Sequence, residues 1–228
     1  RRYNGPGNGD DEAKCMTIDG EDNVYVTGWS YGIGTSRDYC TIKYNSSGEQ
    51  IWVARYDEPG IYDDEAYSLA VDAEGNVYVT GCSDGSAPSG DIATVKYDST
   101  GQQQWVARYV GLGNGTDAGF GLAVDIAQNI YVTGYSFGSG TDYDYATVKY
   151  DALGVQQWVS RYNGPGNNDD YPVALVLDTD GNAYVTGFSS GYGSNYDYAT
   201  IKYDSTGNQQ RGQFKREQQW CHNFLDYQ

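Results

Sequence analysis

Four kinds of short segment alternate along the chain, each rich in apolar, aromatic or β-branched residues and bounded by Gly, Asn, Asp or Ser. In the first repeat they predict strand A at residues 13–19, strand B at 24–29, strand C at 38–44 and strand D at 50–56. The strands are apolar on both faces, which indicates sheets that are packed on both sides. The pattern predicts an all-β protein without helices.

The pattern recurs at an interval of 53 residues without an insertion. Tyr-Val-Thr-Gly begins at Tyr25, Tyr78, Tyr131 and Tyr184, and tryptophan recurs at Trp52, Trp105 and Trp158. Four antiparallel strands in a repeat of about 40 to 50 residues are typical of a β-propeller blade. The predicted blades are residues 2–54, 55–107, 108–160 and 161–210, in a closed four-blade ring or in part of a larger ring. A right-handed β-helix ranks lower, because its coils are shorter and lack two hairpin turns per repeat.

The repeat pattern is lost after residue 210. Arg211 stands where the repeat has tryptophan, and Gln-Gln-Trp reappears nine residues late, ending at Trp220. Residues 211–228 are predicted to be an irregular tail or the last strand of blade four after a bulge. An unclosed run of blades leaves one apolar face bare at each end, so we expect another copy of the chain or this tail to cover the ends.

One motif carries a resemblance to a known family. Residues 72–81 read Asp-Ala-Glu-Gly-Asn-Val-Tyr-Val-Thr-Gly, and Asp-x-Ala-Thr-Val-Lys-Tyr-Asp-x-x-Gly and then Gln-Trp follow. This string resembles the repeat of the seven-bladed β-propeller family, over residues 2–210. Members are typically bacterial surface or secreted proteins, so the resemblance implies a propeller fold and an extracellular or cell-surface location. It constrains function very little.

Charge narrows the range of partners. The chain has 31 acidic and 14 basic residues and a formal net charge of −17. Nucleic acids and anionic membranes would repel it, and no apolar run approaches the ~18 residues of a membrane span. We therefore expect no nucleic-acid partner and no membrane insertion. The expected partners are other copies of the chain, cell-surface polymers or glycans.

The cysteines are predicted to be free thiols. Cys40 stands where the other repeats have Ala93, Ala146 and Ala199, which are small buried positions. Cys15 and Cys40 lie on strands A and C, which flank strand B and are therefore about 9–10 Å apart. A disulfide between them is excluded if the strands are assigned correctly.

Four carboxylates immediately precede the innermost strand of each repeat. They are Asp11, Asp64, Asp117 and Asp170. A ring of carboxylates at a channel mouth could bind Ca²⁺, which takes several oxygen ligands. The alternative, which we favour, is a turn-capping role within each blade. No other cofactor is expected.

The long loops between strands B and C and between strands D and A lie at one end of each blade, where propellers commonly bind ligands. Tyrosines on these loops could stack on sugars, namely Tyr31, Tyr143, Tyr192 and Tyr196. The single histidine is His222, outside the repeats, and no nucleophile or phosphate-binding motif is present. The sequence therefore predicts a non-catalytic structural, adhesive or self-assembling surface module. The alternative is a glycan-binding, lectin-like propeller.

Overall fold

The computed structural model describes residues 1–59, 62–84, 89–113, 115–193 and 195–210. Within these ranges every regular element is a β-strand, and the strands form four antiparallel sheets of four strands each. The all-β propeller prediction is confirmed. In the same ranges no helix is long and apolar enough to span a membrane.

Each blade contains four strands in sequence order. Blade 1 consists of β1 (Asp11–Ile18), β2 (Val24–Tyr31), β3 (Arg37–Tyr44) and β4 (Gln50–Tyr56). Blade 2 consists of β5 (Asp64–Val71), β6 (Val77–Ser83), β7 (Asp91–Tyr97) and β8 (Gln103–Tyr109). Blade 3 consists of β9 (Ala118–Val124), β10 (Ile130–Phe137), β11 (Tyr143–Tyr150) and β12 (Gln156–Tyr162). Blade 4 consists of β13 (Asp170–Leu177), β14 (Ala183–Ser190), β15 (Tyr196–Tyr203) and β16 (Gln209–Gln210).

The turn between the first two strands of each blade is closed by an aspartate. In blade 2, Asp72 Oδ1 accepts hydrogen bonds from the backbone amides of Glu74 and Asn76, both at 2.9 Å. Gly75 in this turn has a φ of +78°, a conformation that glycine adopts without a steric penalty. Asp19, Asp125 and Asp178 bind the corresponding amides of their own turns. Side-chain capping therefore fixes where each hairpin turns.

The core consists of three clusters, each lying between two successive blades. The repeated tryptophan joins each blade to the next, because its indole nitrogen donates to a backbone carbonyl of the following blade. Trp52 donates to Ser99, Trp105 to Ala152 and Trp158 to Ser205, each at 3.1 Å. The repeated residues therefore stabilise the contacts between blades as well as the blades themselves.

The blades form an open arc. The first strands of successive blades, β1, β5, β9 and β13, contact one another in that order, which places strand A innermost. Blade 1 and blade 4 do not close a ring among the described residues. Each keeps a bare outer face, where Met16 is 64% and Tyr198 is 96% exposed. The alternative of a closed four-blade ring is therefore wrong.

The described cysteines are all free. Cys15 lies on β1 and Cys40 on β3, with β2 between them. Cys82 is also free and buried. The prediction that Cys15 and Cys40 do not pair is confirmed, and residues 211–228, with Cys221 and His222, lie outside the described residues.

Candidate functional site

The four repeated aspartates cap the loops that lead into the innermost strands. Asp64 Oδ2 accepts the backbone amide of Glu58 at 2.9 Å, six residues earlier in the chain. Asp11, Asp117 and Asp170 bind the equivalent amides of Gly5, Gly111 and Gly164. In the described ranges no three His, Cys, Asp or Glu side chains converge to hold a metal ion. The geometry is that of separate loop caps, and calcium binding stays a prediction.

Burial raises the pKa of two of these aspartates, Asp64 and Asp117. Asp64 is 1% exposed, and its removal from water raises its pKa to about 6, although hydrogen bonds from Ser83 and the Glu58 amide oppose the rise. Burial likewise raises the pKa of Asp117. Asp64 and Asp117 therefore hold their loops at a cost in stability that increases as the pH rises above the unfolded value of 3.8.

We expect Asp64→Asn to flatten the pH dependence of stability between about pH 4 and 6. Because the folded pKa is raised above the unfolded value of 3.8, the contribution of Asp64 to stability is complete below pH 3.8 and is lost as the pH rises through about 6. The loss is on the order of 3 kcal/mol. Asparagine does not ionise and can still accept the Glu58 amide. Urea unfolding at a series of pH values measures the effect.

Asp19→Asn is the control, because the pKa of Asp19 is shifted in the opposite direction from that of Asp64. Burial raises the pKa of Asp19, but hydrogen bonds from the Asn23 side chain and from the Asn23 and Glu21 amides outweigh it, so the pKa falls to about 2. Its contribution is therefore present above pH 3.8 and lost in stronger acid. An unchanged slope between pH 4 and 6 in Asp64→Asn would show that Asp64 is not responsible.

The four tyrosines predicted to bind sugars are not brought together as one group. Tyr192 is 89% exposed on its loop, and Tyr31 packs against Trp29 in blade 1. Tyr143 contacts Tyr135, with ring centroids 4.9 Å apart, and Tyr196 contacts Phe188 at 5.0 Å. Only Tyr143 and Tyr196 therefore adjoin the larger aromatic surface described next.

A continuous series of rings crosses blades 2, 3 and 4. We call this the aromatic row, and its members are Tyr67, Phe120, Tyr135, Tyr171 and Phe188. Tyr67 and Phe120 are stacked with centroids 4.8 Å apart, and Tyr135 lies 5.4 Å from Phe120. Tyr171 lies 5.2 Å from both Tyr135 and Phe188. All five side chains are half-buried, so the row offers ring surface to a bound molecule.

Charged groups lie at the blade 2 end of the aromatic row. Arg37, the first residue of β3, forms an ion pair with Glu65 of β5 and lies 3.7 Å from Asp63. Its guanidinium carbon lies 4.3 Å from the ring centroid of Trp29. The Tyr67 hydroxyl donates to the other oxygen of Glu65. The Glu65 side chain is 19% exposed, so its carboxylate is held in place while solvent reaches it.

Asp84, the residue immediately after β6, is the second carboxylate of this cluster. Its backbone amide donates to the Asp63 carbonyl at 3.2 Å, and the Cys82 thiol lies 3.7 Å from its Oδ1. Burial raises the pKa of Asp84, and the negative charges of Asp63 and Glu65 raise it further, while the Cys82 thiol opposes them. Glu65 is thus paired with a cation, whereas Asp84 is surrounded by negative charge. Groups with such contrasting environments can serve as base and acid in one reaction.

This cluster contains none of the site residues predicted from the sequence, because Arg37, Glu65 and Asp84 belong to no motif that recurs in all four repeats. Arg37 has Gly90, Tyr143 and Tyr196 at the equivalent repeat positions. Asp84 likewise has Tyr31, Phe137 and Ser190 at its equivalent positions, so departure from the repeat is the signal that these two residues share.

A groove of about 470 Å³ lies at the opposite end of blades 3 and 4, beside Lys149. Its lining includes the carboxylates of Asp125, Asp178 and Asp180, and the first two already bind the amides of their own turns. The Arg37–Glu65–Asp84 cluster joins a cation and two carboxylates to the ring surface of the aromatic row. We therefore take that cluster, together with the aromatic row, as the candidate site.

Comparison with known proteins defines the class as a β-propeller repeat protein. The β-propeller repeat family SBBP matches residues 52–86, 104–140 and 157–193. The chain therefore carries repeats of this family. Each match begins at or beside the tryptophan position of one blade and ends after the second strand of the next, so the family repeat includes the tryptophan contact between blades.

Individual relatives are more distant. A WD repeat-containing protein of Acanthamoeba polyphaga mimivirus, described as uncharacterized, is 28% identical over 166 residues, which cover 55% of this chain and 12% of that protein. The solved structure of a gluconolactonase from Xanthomonas campestris aligns with a TM-score of 0.50 and 13% identity, over 86% of this chain and 60% of that one. A second solved structure, assigned provisionally as a gluconolactonase, has a TM-score of 0.49 and 11% identity, over 86% and 61% of the two chains. The chain thus spans less than two thirds of each relative.

These findings correct the functional expectation. The sequence predicted a non-catalytic structural, adhesive or self-assembling module, or a lectin-like alternative. The gluconolactonase from Xanthomonas campestris is an enzyme with a similar fold, which contradicts that prediction. At 13% identity the likeness shows the fold alone, and the family match bears on neither blade number nor location. An extracellular location stays a prediction.

Proposed function

We propose that this chain hydrolyses a cyclic ester of a sugar at the Arg37–Glu65–Asp84 cluster. The observation that carries the proposal is the contrast between two neighbouring carboxylates. Glu65 is paired with Arg37, while the pKa of Asp84 is raised by burial and by negative neighbours. Hydrolysis of a lactone needs a base to activate water and an acid to protonate the leaving oxygen.

The reaction divides among the three side chains. Glu65 removes a proton from water, and the water oxygen forms a bond to the lactone carbonyl carbon. The Arg37 guanidinium stabilises the negative charge that develops on the carbonyl oxygen. The bond between the carbonyl carbon and the ring oxygen then breaks, and Asp84 gives that oxygen its proton. The product is an open-chain hydroxy acid, and the cycle closes when Glu65 releases its proton to solvent and Asp84 takes one up from solvent.

The aromatic row gives the reaction a binding surface. Sugar rings have apolar faces that pack on aromatic side chains. Tyr67 connects the two parts, since it stacks on Phe120 and donates to Glu65. A ring bound against Tyr67 would therefore lie beside the carboxylate that activates water. The gluconolactonase of similar fold supports the choice of a lactone as substrate.

We expect Glu65→Gln to abolish most hydrolysis of glucono-δ-lactone above its spontaneous rate. Glutamine keeps the size of the side chain and can still accept the Tyr67 hydrogen bond, but it cannot take a proton. Removal of a general base typically lowers the rate about 10²- to 10⁴-fold. Proton release in a weakly buffered indicator solution measures the rate.

Glu12→Gln is the matched control. Glu12 occupies the same repeat position in blade 1, where its partner is Lys14 at 2.7 Å and no aromatic row adjoins it. This variant should hydrolyse the lactone at the wild-type rate. Hydrolysis by the wild-type chain no faster than in buffer, or an equal loss in both variants, would refute the proposal.

A further inference from the structure

We propose that the bare face of blade 4 binds the bare face of blade 1 in a second copy of this chain. The blade 4 face carries Val176, Tyr198 and Thr200, and we call it the trailing face. The blade 1 face carries Met16, Ile18 and Val24, and we call it the leading face. This inference concerns an interaction surface and is independent of the proposed hydrolysis.

Equivalent positions inside the arc show that both faces are built to be covered. Tyr39 and Tyr145 occupy the repeat position of Tyr198 and are both 0% exposed, whereas Tyr198 is 96% exposed. On the leading face, Met16 is 64% exposed. Its counterparts Leu69, Leu122 and Leu175 are 6%, 9% and 8% exposed. Each bare face is therefore one half of an interface that forms three times within the chain.

The hydrogen bonds of that interface can be transferred to the second copy. The Tyr39 hydroxyl donates to the Ala93 carbonyl of the next blade at 3.3 Å, and Tyr145 donates to Ala199 at 3.5 Å.

The repeat places the backbone carbonyl of Cys40 in the second copy opposite the Tyr198 hydroxyl. The Cys40 carbonyl accepts Thr27 Oγ1 at 3.3 Å, as the Ala93 carbonyl accepts Thr80 Oγ1 at 3.1 Å while also binding Tyr39. A carbonyl has two lone pairs, so Cys40 can accept Tyr198 as well.

The loop end of the interface repeats in the same way. The backbone amide of Arg37 in blade 1 donates to Asp63 of blade 2 at 3.3 Å, and that of Tyr143 in blade 3 donates to Asp169 of blade 4 at 3.3 Å. The counterparts at the bare ends are the Tyr196 amide on blade 4 and Asp10 on blade 1. The trailing face therefore offers a backbone donor, and the leading face offers the carboxylate that would accept its hydrogen bond.

Contact between the two faces is heterologous, because different surfaces of the two copies meet. Such contacts close into rings when the rotation per copy allows it. Two copies supply eight blades, which lies within the range of about 4 to 8 that propellers use. The expected product is a ring of two copies, held by two identical interfaces.

The test uses the full chain and two variants in sedimentation velocity experiments. The wild-type protein should sediment as a species with twice the 25.0 kDa mass of one chain. Met16→Glu places a charge on the leading face and Tyr198→Glu places one on the trailing face, so each variant alone should be a monomer. Both residues are exposed within one copy, and circular dichroism should show unchanged folding.

An equimolar mixture of the two variants decides the geometry. Met16→Glu keeps an intact trailing face and Tyr198→Glu an intact leading face, so the mixture should form a dimer through one interface. A monomeric wild-type chain would overturn the proposal. Self-association of either variant alone, or a mixture that stays monomeric, would equally overturn it.

Discussion

Gly134→Ala is expected to destabilise the protein severely. A Cβ atom at this position would lie 1.9 Å from the carbonyl oxygen of Ala118 and 2.8 Å from the Cα atom of Gly119, both on the neighbouring strand. These are backbone atoms, so no side-chain rotation relieves the collision, and β9 must move away from β10. Overpacking of this kind costs about 3 kcal/mol or more, which corresponds to a fall in melting temperature of roughly 6–12 °C.

Gly20→Ala provides the comparison. A Cβ atom at Gly20 would meet nothing within 4 Å, so the melting temperature should stay within about 1 °C of the wild-type value. The difference between the two variants, followed by circular dichroism on heating, isolates the steric effect. Equal melting temperatures would show that β9 and β10 can separate freely. The same close approach occurs at Gly28, Gly81 and Gly187, which explains the last residue of the Tyr-Val-Thr-Gly motif.

Arg161→Ala is also expected to lower the free energy of unfolding strongly. The guanidinium donates to Tyr109, to the side chain and carbonyl of Ser136 and to Asp144, at distances of 2.6–3.0 Å. The Arg161 and Asp144 side chains are only 18% and 7% exposed, so truncation leaves a buried carboxylate without its cation. Removing one partner of such a pair costs about 3–5 kcal/mol, and the remaining hydrogen bond from Thr141 favours the lower figure.

Lys202→Ala is the control for this variant. Lys202 and Asp178 are 3.7 Å apart at the surface, and both side chains are 30% exposed. Exposed ion pairs contribute little to stability, so the unfolding midpoint in urea should not change measurably. If Arg161→Ala unfolded at the same urea concentration as Lys202→Ala, the buried network would not stabilise blade 3.

The repeated pattern predicted most of the fold. Regular spacing of Tyr-Val-Thr-Gly and tryptophan predicted the four blades, because each repeated residue has one role in every blade. The structure shows these roles directly: the glycine allows close approach of the first strand, and the tryptophan binds the next blade. The turn-capping role of Asp11, Asp64, Asp117 and Asp170 could also be predicted, since it depends on residues close in sequence.

The candidate site could not be predicted in this way, because its members break the repeat. Arg37, Glu65 and Tyr67 lie in different blades or have unlike residues at equivalent positions. The residues that all four repeats share therefore do not include these side chains. Their proximity depends on how blade 1 packs against blade 2, which places the first residue of β3 beside the second residue of β5.

The strand order, the turns, the free cysteines and the small-residue positions could all be predicted from the amino-acid sequence. These follow from backbone geometry and from contacts repeated every 53 residues. The open arc, the exposure of Tyr198 and Met16 and the contact between Arg37 and Glu65 could be found only in the folded structure. Ring closure and the candidate site depend on angles and distances between blades. These angles and distances cannot be read from the repeat, because every blade carries nearly the same residues.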